Sequence, residues 1–434
     1  MRNNPEESCS RKIRRIQTHP ELARTRPDYV VYVPSDGQEG IPDGGNENIS
    51  VLEHRDGTLQ AFWTQTSVEQ AVDGRYVTAR SSDGGLSWSA PEVIAGGNFD
   101  PKTGKNKINC GTAFRNRAGR TYLMLSLHPG VYDPTENGDC MILVSDDCGR
   151  TFSAPVLKER PRSERYDSSD PAVPPPFLPY LPPIRLRSGK YLGGCTKWYC
   201  CAKRKPAPHW TLSESACEVY VIDNLDESPS PEDLRIRWTA FGNTALTAPH
   251  YAKPDYEIGQ EPSFVQYPDG RVLCVFRTAA GSPWYSLSED EGDSWTPPEP
   301  LLYRQDGPPI LHPLSPCPIF PLDKEGEYVL FIHAHSGNFG PWTFEDTTKN
   351  RRPLFALKGV FSPDDRQGIR FSEPMFFMDD DGVPLGHRIR RADLALYGCM
   401  TRLKGRHVLW YPDRKYFLCG KILDQETLNL LEFH

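Results

Sequence analysis

The chain has 434 residues, of which 38% are hydrophobic and 25% are charged, and its formal net charge is −7. This acidic balance argues against a nucleic-acid partner, and no apolar run reaches the length of about 18 residues that a membrane-spanning helix needs. The 42 prolines and 35 glycines favour many short elements joined by turns over long helices.

The N-terminal stretch MRNNPEESCSRKIRRIQ has no apolar run of the kind found in signal peptides, so we expect a cytoplasmic protein, with a secreted protein as the alternative if a leader has been removed. We predict that residues 1–30 form an N-terminal arm and that residues 31–434 form one domain, because no break in composition divides the latter. The 12 cysteines include no CxxC pair, which favours reduced thiols over a disulfide framework or a zinc site.

A short phrase of the form S-x-D-x-G-x-[S/T]-[W/F] occurs three times along the chain. Its copies are SSDGGLSW at 81–88, SDDCGRTF at 145–152 and SEDEGDSW at 288–295, and SPDDRQGIRF from residue 362 is a degenerate fourth. In each copy the aspartate can accept hydrogen bonds from turn amides, the glycine supplies a positive φ, and the aromatic ring packs under the turn. The phrase therefore predicts a recurring hairpin turn.

Alternating apolar strands precede each copy, as in YVTARS, MILVS and WYSLS. A second turn signal lies farther upstream in HRDGTLQAFW, RAGRTYLMLS and YPDGRVLCVF, where a D-G or G-R pair separates two alternating runs. Each repeat then contains about four antiparallel strands, and repeats of this kind close radially into a ring. We predict an all-β fold, a β-propeller.

The repeated phrase is the Asp box, and with it the sequence resembles the sialidase superfamily of six-bladed β-propellers. The resemblance implies six blades, with seven as the alternative because some repeats lack the box. In that superfamily the boxes lie on the outer rim and the catalytic residues gather at the centre. The boxes therefore imply a scaffold, and the chemistry has to come from other residues.

Two stretches resemble segments that carry catalytic residues in sialidases. EPSFVQYPDGRVLCVFR at 261–277 implies that Glu261 activates a nucleophile and that Arg277 binds a substrate carboxylate. ALYGCMTRLKGRHVLWY at 395–411 puts Tyr397 in the place of the nucleophile. A tyrosine suits this role in sialidases because their substrate, sialic acid, carries its carboxylate on the anomeric carbon, where an anionic nucleophile would be repelled.

A third stretch, KNRRPLFALKGVFS at 349–362, resembles the strand that carries a further substrate-binding arginine. It offers Arg351 and Arg352. Because adjacent residues of a strand point to opposite faces, only one of them can reach the centre, and we favour Arg351.

The sequence departs from the resemblance at the first substrate-binding arginine. Counting back from the D-G turn at Asp56 in NENISVLEHRDGTLQAFW puts Glu47 at that position, where a carboxylate would repel a substrate carboxylate. Glu47 instead fits hydrogen bonding to sugar hydroxyls. The loop TSVEQAVDGR offers Glu69 and Asp73 as the general acid/base, and neither lies at the spacing that the superfamily has. Glu47 is the third candidate for this role.

Several histidines and one proline-rich segment complete the candidates. His333 and His335 lie two residues apart on one strand face, but no third ligand is near, so we predict that they, His312 and His128 are structural and that no metal is bound. Residues 159–183, ERPRSERYDSSDPAVPPPFLPYLPP, predict an extended surface excursion that borders the site.

These residues predict an exo-acting glycoside hydrolase that releases a terminal sugar, sialic acid or a related or other sugar, from glycans with a tyrosine and glutamate pair. One alternative is a polysaccharide lyase that cleaves at a uronic acid by β-elimination on the same propeller. The other is a propeller that binds glycans without catalysis. Each interpretation has a carbohydrate partner and no cofactor, and none involves a nucleic acid or a membrane.

Overall fold

The computed structural model describes residues 20–35, 42–69, 71–130, 138–200, 207–238, 244–338, 348, 350–386 and 391–433. Within these ranges the strands form six sheets, which are arranged as the blades of a β-propeller. The structure therefore confirms the predicted all-β propeller and has six blades, not seven. Every sheet contains at least four strands, as the spacing of the turn signals predicted.

The strands follow one another blade by blade along the chain, after a first strand, β1 (Tyr29–Tyr32), that belongs to blade six. Blade one contains β2 (Gly45–Glu53), β3 (Leu59–Thr66), β4 (Arg75–Ser81) and β5 (Glu92–Ala95). Blade two contains β6 (Ile108–Arg115), β7 (Thr121–Leu127), β8 (Asp139–Ser145) and β9 (Val156–Lys158). Blade three contains β10 (Ile184–Arg185), β11 (Tyr191–Trp198), β12 (Ser215–Ile222), β13 (Ile236–Trp238), β14 (Ala248–Pro249) and β15 (Glu257–Ile258).

The second half of the ring repeats the arrangement. Blade four contains β16 (Gln260–Gln266), β17 (Val272–Arg277), β18 (Trp284–Ser288) and β19 (Glu299–Pro300). Blade five contains β20 (Ile319–Pro321), β21 (Glu327–Ile332), β22 (Leu354–Phe361), β23 (Ile369–Phe371) and β24 (Met375–Met378). Blade six contains β25 (Cys399–Leu403), β26 (Arg406–Asp413) and β27 (Phe417–Ile422).

Helices are few and short. They are α1 (Leu22–Thr25), α2 (Gln425–Asn429) and two 3₁₀ turns at Trp210–Leu212 and Leu225–Glu227. No helix in the described part of the chain is long and apolar enough to cross a membrane.

Both ends of the chain contribute to blade six. β1 pairs antiparallel with β27, and Tyr29 lies opposite Gly420. The predicted boundary between an arm and the domain, at residue 30, falls inside this strand, while residues 1–19 lie outside the described residues. Hydrogen bonds between the two ends therefore close the ring of blades.

The hydrophobic core lies between neighbouring blades. All eight residues of β3 are buried, as expected of a strand that is covered on both faces. At the junction of blades six and one, Val51 and Trp63 share one cluster with Val408 and Trp410. Burial of apolar surface at such junctions stabilises the ring at roughly 25 cal/mol for each Å² removed from water.

The Asp boxes form the turns between the third and fourth strands of blades one, two and four. In blade two, Asp147 Oδ1 accepts a hydrogen bond from the Ser145 hydroxyl at 2.8 Å. The same oxygen accepts the amide N–H groups of Arg150 and Thr151 at 2.9 Å, and Gly149 has a φ of 71°. These bonds confirm the predicted turn and put the boxes in the outer half of each blade.

Blade three differs from the sequence prediction. The surface excursion predicted for 159–183 is wrong for the second half of the segment, because Phe177 and Leu178 are buried and Leu178 forms a β-bridge with Thr196 of β11. Proline has no N–H to satisfy, so a proline-rich segment can lie in the interior at a lower cost in unpaired amides. The segment runs along the inner edge of the blade and brings Tyr180 to the centre.

Four charged side chains are buried together next to this segment. This blade-three ionic cluster consists of Arg160, Asp167, Lys197 and Glu218, and none of these side chains is more than 2% exposed. Arg160 pairs with Glu218, while Lys197 Nζ lies 2.7 Å from Asp167 Oδ2 and 3.6 Å from Glu218 Oε1. Because two cations face two anions, each buried charge has a partner. The cluster ties the proline-rich segment to β11 and β12.

Candidate active site

Tyr397 lies at the junction of blades six and one, just before β25. The chain is tightly packed here, since a Cβ on Gly398 would lie 1.9 Å from the carbonyl oxygen of Trp410. The Tyr397 carbonyl accepts the amide N–H of Ile49 in β2 at 3.1 Å. Backbone contacts to two blades therefore fix the position from which the phenol reaches the centre.

One guanidinium nitrogen joins three of the residues that the sequence resemblance singled out. Arg277, the last residue of β17, donates from Nη1 to Glu261 Oε1 at 2.6 Å and to the Tyr397 hydroxyl oxygen at 3.0 Å. All three side chains are buried. The distance between the Tyr397 hydroxyl oxygen and Glu261 Oε1 is therefore no greater than the sum of these two hydrogen-bond lengths.

A β-bulge aims Glu261 at this position. The pairing of β16 with β17 shifts between Gln260 and Ser263, Glu261 has a φ of 54°, and its amide donates to Thr196 Oγ1 at 2.9 Å. A positive φ is strained for a residue with a Cβ, and such strain is concentrated at functional sites. β2 of blade one has the same feature, with a shifted register around Asn48 at a φ of 56°.

The surrounding charges set the protonation of the phenol and of the guanidinium. Burial raises the pKa of Tyr397, and the Glu261 carboxylate raises it further, against the opposing charges of Lys415 and Arg277. Burial lowers the pKa of Arg277, but the Glu261 charge outweighs burial and raises that pKa overall. At rest, Tyr397 is a neutral phenol beside a permanent cation, so it needs a base to become a nucleophile.

Arg351 supplies a second cation to the centre. Its Cζ lies 5.7 Å from the ring centroid of Trp210, and the Cζ of Arg277 lies 5.9 Å from the same centroid. Arg351 is buried, and its Nε and Nη2 atoms have no hydrogen-bond partner among the described residues. Buried donors without partners are costly, so this pair of nitrogens is suited to an anionic ligand group.

Arg352 points elsewhere. It donates to both carboxylate oxygens of Asp379, at 2.9 and 2.6 Å, and also pairs with Asp380. The two adjacent arginines thus have different surroundings. The predicted reason, that both lie in one strand, is wrong, because they precede β22, which begins at Leu354.

The histidines of blade five support the loop that carries the two arginines. His333 Nδ1 lies 2.9 Å from the carbonyl oxygen of Pro353, and His335 Nε2 lies 3.2 Å from that of Arg352. The rings of His312 and His333 stack with their centroids 5.1 Å apart, and burial lowers the pKa of His312 to about 3. These are the contacts of neutral, structural histidines. His128, in blade two, accepts the amide of Gly130 at its Nδ1.

Glu47 and Glu69 share a lysine that the sequence analysis did not single out. Lys415 Nζ lies 2.9 Å from Glu47 Oε2 and also pairs with Glu69, and it lies 4.4 Å from the ring centroid of Tyr397. Arg391 pairs with Glu69 from the other side. Lys415 is therefore a cation next to Glu47, which occupies the position where the resemblance implies the first substrate-binding arginine.

The shared lysine affects the pKa values of the two carboxyl groups differently. Burial raises the pKa of Glu47, and Lys415 only partly opposes this. Burial also acts to raise the pKa of Glu69, but the charges of Lys415 and Arg391 outweigh it and lower that pKa to about 2. Of the pair, Glu47 is the group suited to carry a proton and Glu69 is a fixed anion.

Asp73 is hydrogen-bonded to the backbone. Its Oδ1 and Oδ2 atoms lie 3.1 and 3.2 Å from the amide nitrogen of Ser67, which closes the loop after β3. This contact organises the loop and leaves Glu47 and Glu69 as the carboxyl groups that contact Lys415.

Four residues of the centre were missed from the sequence. They are Tyr180, Trp210, Arg391 and Lys415. The ring centroid of Tyr180 lies 5.2 Å from that of Tyr397. For Tyr180 the available signal was the proline-rich segment that precedes it, which the sequence analysis placed next to the site. For Lys415 no local pattern existed, because it lies in a turn between β26 and β27 with a φ of 54°.

With this centre and these rim turns, the fold is that of the sialidase-like β-propellers. Residues 57–306 match the family model described as a BNR repeat-like domain, which covers more than half of the chain, so the chain belongs to that family. No curated protein matches the chain significantly.

Several solved structures share the fold at low sequence identity. A protein of unknown function from Dyadobacter fermentans is 13% identical, with a TM-score of 0.59 over 95% of this chain and 99% of that one. A Hadza microbial sialidase is 14% identical, with a TM-score of 0.58 over 90% and 68%. The intramolecular trans-sialidase from Ruminococcus gnavus, in complex with oseltamivir carboxylate, is 12% identical, with a TM-score of 0.56 over 92% and 98%. At these identities the likeness shows the fold alone.

Proposed function

We propose that the protein is an exo-acting glycoside hydrolase that releases a terminal acidic sugar, sialic acid or a related sugar acid, from glycans. The observation that carries the proposal is the Arg277 nitrogen that hydrogen-bonds both Glu261 and Tyr397. It brings a phenol, a proton acceptor and a cation into one buried position at the centre of the ring. Trans-sialidase and sialidase structures share the fold, which supports the same class of reaction.

Tyr397 is the proposed nucleophile. Its oxygen bonds to the anomeric carbon while the bond from that carbon to the leaving oxygen breaks, and the phenolic proton passes to Glu261. Water then attacks the same carbon, the tyrosine oxygen leaves, and it recovers its proton from Glu261. Two displacements at one carbon retain the anomeric configuration.

Glu47 is the proposed general acid/base, in preference to Glu69 and Asp73. Its raised pKa lets it give a proton to the leaving oxygen in the first displacement and take one from water in the second. Glu69 is held as an anion between two cations, and Asp73 is bonded to a backbone amide. This assignment gives a role to the carboxyl group that replaces the missing arginine.

The acidic group of the substrate is proposed to bind Arg277 and Arg351. The two guanidinium groups lie at similar distances from Trp210, and Arg351 has donors without partners. The repulsion expected from Glu47 is reduced, because Lys415 offsets its charge at 2.9 Å. A carboxylate can therefore enter the centre although the first arginine is absent.

A trapping experiment tests the nucleophile. The protein would first be screened with aryl glycosides of acidic and neutral sugars, and then incubated with a fluorinated analogue of the best glycone that carries a good leaving group. Mass spectrometry of the digested protein should find the sugar on the peptide that contains Tyr397. An adduct elsewhere would contradict the proposal, as would a product with a new conjugated double bond, which indicates β-elimination, or glycan binding without turnover.

The two adjacent arginines provide a matched pair of variants. Arg351→Met should raise KM for an acidic aryl glycoside by about 10-fold to 100-fold, because a charge-assisted contact to the substrate is lost. Arg352→Met should change KM by less than about threefold, because its guanidinium contacts Asp379 and not the centre. Steady-state kinetics of both variants measure this, and equal effects on KM would contradict the assignment of Arg351.

A further inference from the structure

A small polar cavity adjoins the proposed catalytic centre. This side cavity has a volume of about 50 Å³, and six of its polar lining residues are Glu47, Asn48, Thr64, Glu69, Lys107 and Asn109. Tyr180 also lines it, and the ring of Tyr180 lies beside that of Tyr397. A group bound at the nucleophile is therefore next to the cavity.

Two of the lining side chains are buried without hydrogen-bond partners. Within the part of the chain that the structure describes, Asn48 Oδ1 and Thr64 Oγ1 have none, although these residues are only 3% and 4% exposed. An unsatisfied buried polar atom costs about 1–3 kcal/mol, so native structures rarely keep one without a ligand or water to satisfy it. The bulge that gives Asn48 its positive φ also puts this residue on the wall of the cavity.

The chemistry of the wall defines the group that fits. Asn48 Oδ1 and the Glu69 carboxylate are acceptors, and the Thr64 hydroxyl and a protonated Glu47 can donate or accept. Lys107 and the side-chain amides of the two asparagines add donors, but the two atoms without partners are Asn48 Oδ1 and Thr64 Oγ1. A ligand group that donates hydrogen bonds satisfies them, whereas a methyl group would leave them unpaired. A cavity of about 50 Å³ has room for a few atoms, since one water molecule needs only about 10–15 Å³ of such space.

We infer that the side cavity binds a hydroxyl-bearing substituent of the terminal sugar and selects against sugars that carry an acetamido group there. The inference rests on the proposed function, because it takes the sugar ring to bind at Tyr397. It assigns specificity to Asn48 and Thr64, which take no part in the proposed displacement steps.

Two free sugars and two protein variants test the inference. The probes are N-acetylneuraminic acid and its deaminated analogue, in which a hydroxyl replaces the acetamido group and the carboxylate is kept. Calorimetric titration of the Tyr397→Phe protein measures binding without turnover. We expect the hydroxyl sugar to bind at least about 10-fold more tightly, because the terminal methyl of the acetamido group would face Asn48 and Thr64 without bonding to them.

The second variant separates the cavity from the rest of the site. Adding Thr64→Val to Tyr397→Phe should reduce the affinity for the hydroxyl sugar by about fivefold or more and leave the affinity for the acetamido sugar within about twofold. Equal binding of the two sugars, tighter binding of the acetamido sugar, absence of binding by both, or an equal effect of Thr64→Val on both would overturn the inference. Failure of the proposed hydrolysis is seen separately, as a lack of turnover of the aryl glycosides by the unsubstituted protein.

Discussion

Tyr397→Phe is expected to lower kcat for the best aryl glycoside by at least about 1,000-fold, because the proposed mechanism assigns the covalent bond to the anomeric carbon to the phenol oxygen that this variant lacks. The free energy of unfolding should change by about 1 kcal/mol or less. The substitution removes one oxygen, and Arg277 keeps its hydrogen bond to Glu261 at 2.6 Å. Steady-state kinetics and urea unfolding of the same preparation measure the two effects.

The control for this variant is the neighbouring tyrosine. Tyr180→Phe also removes one phenolic oxygen next to the centre and keeps a ring packed on Tyr397. It should lower kcat by less than about 10-fold, because Tyr180 has no part in the displacement steps. Comparable losses in the two variants, or an active Tyr397→Phe protein, would exclude Tyr397 as the nucleophile.

The largest effect on stability is expected in the blade-three ionic cluster. Glu218→Gln should lower the free energy of unfolding by about 3–5 kcal/mol, because Arg160 and Lys197 then remain buried with one carboxylate fewer. Denaturant unfolding measures the change. An exposed pair is the control: Glu257→Gln breaks the contact with Arg165, whose side chain is 55% exposed, and should cost less than about 1 kcal/mol.

The same variant should also affect the centre. Lys197 of the cluster follows Thr196, whose hydroxyl accepts the amide of Glu261, and Arg160 packs on Phe177 in the segment that leads to Tyr180. A stable and fully active Glu218→Gln protein would show that the cluster neither stabilises blade three nor positions the centre.

Much of the scaffold could be predicted because its signals are local. An Asp box contains the residues of a complete turn within eight positions, and Asp147 bonds to the serine and threonine of its own box, Ser145 and Thr151. Repetition of the box then predicted a ring of blades. Tyr397, Glu261 and Arg277 were named from a resemblance, and the structure brings all three to one guanidinium nitrogen.

The rest of the centre depends on contacts that no local pattern encodes. Lys415 lies in a turn, and it meets Glu47 and Glu69 only because blade six closes onto blade one. Tyr180 follows prolines, which typically indicate an exposed loop, and here the segment is buried against blade three. The positive φ of Glu261 contradicts the usual preference of glutamate, so propensity alone could not have predicted the bulge.

The pairing of β1 with β27 is expected to determine when the proposed activity appears during folding. These strands are nearly at opposite ends of the described chain, and contacts between residues so far apart in sequence are slow to form during folding. The Tyr397 carbonyl meets the Ile49 amide across the junction between the last blade and the first. We therefore expect the proposed catalysis to emerge late in folding, after the first and last blades have joined. A polypeptide that lacks β1 or β27 should retain most of its blades and show none of the proposed activity.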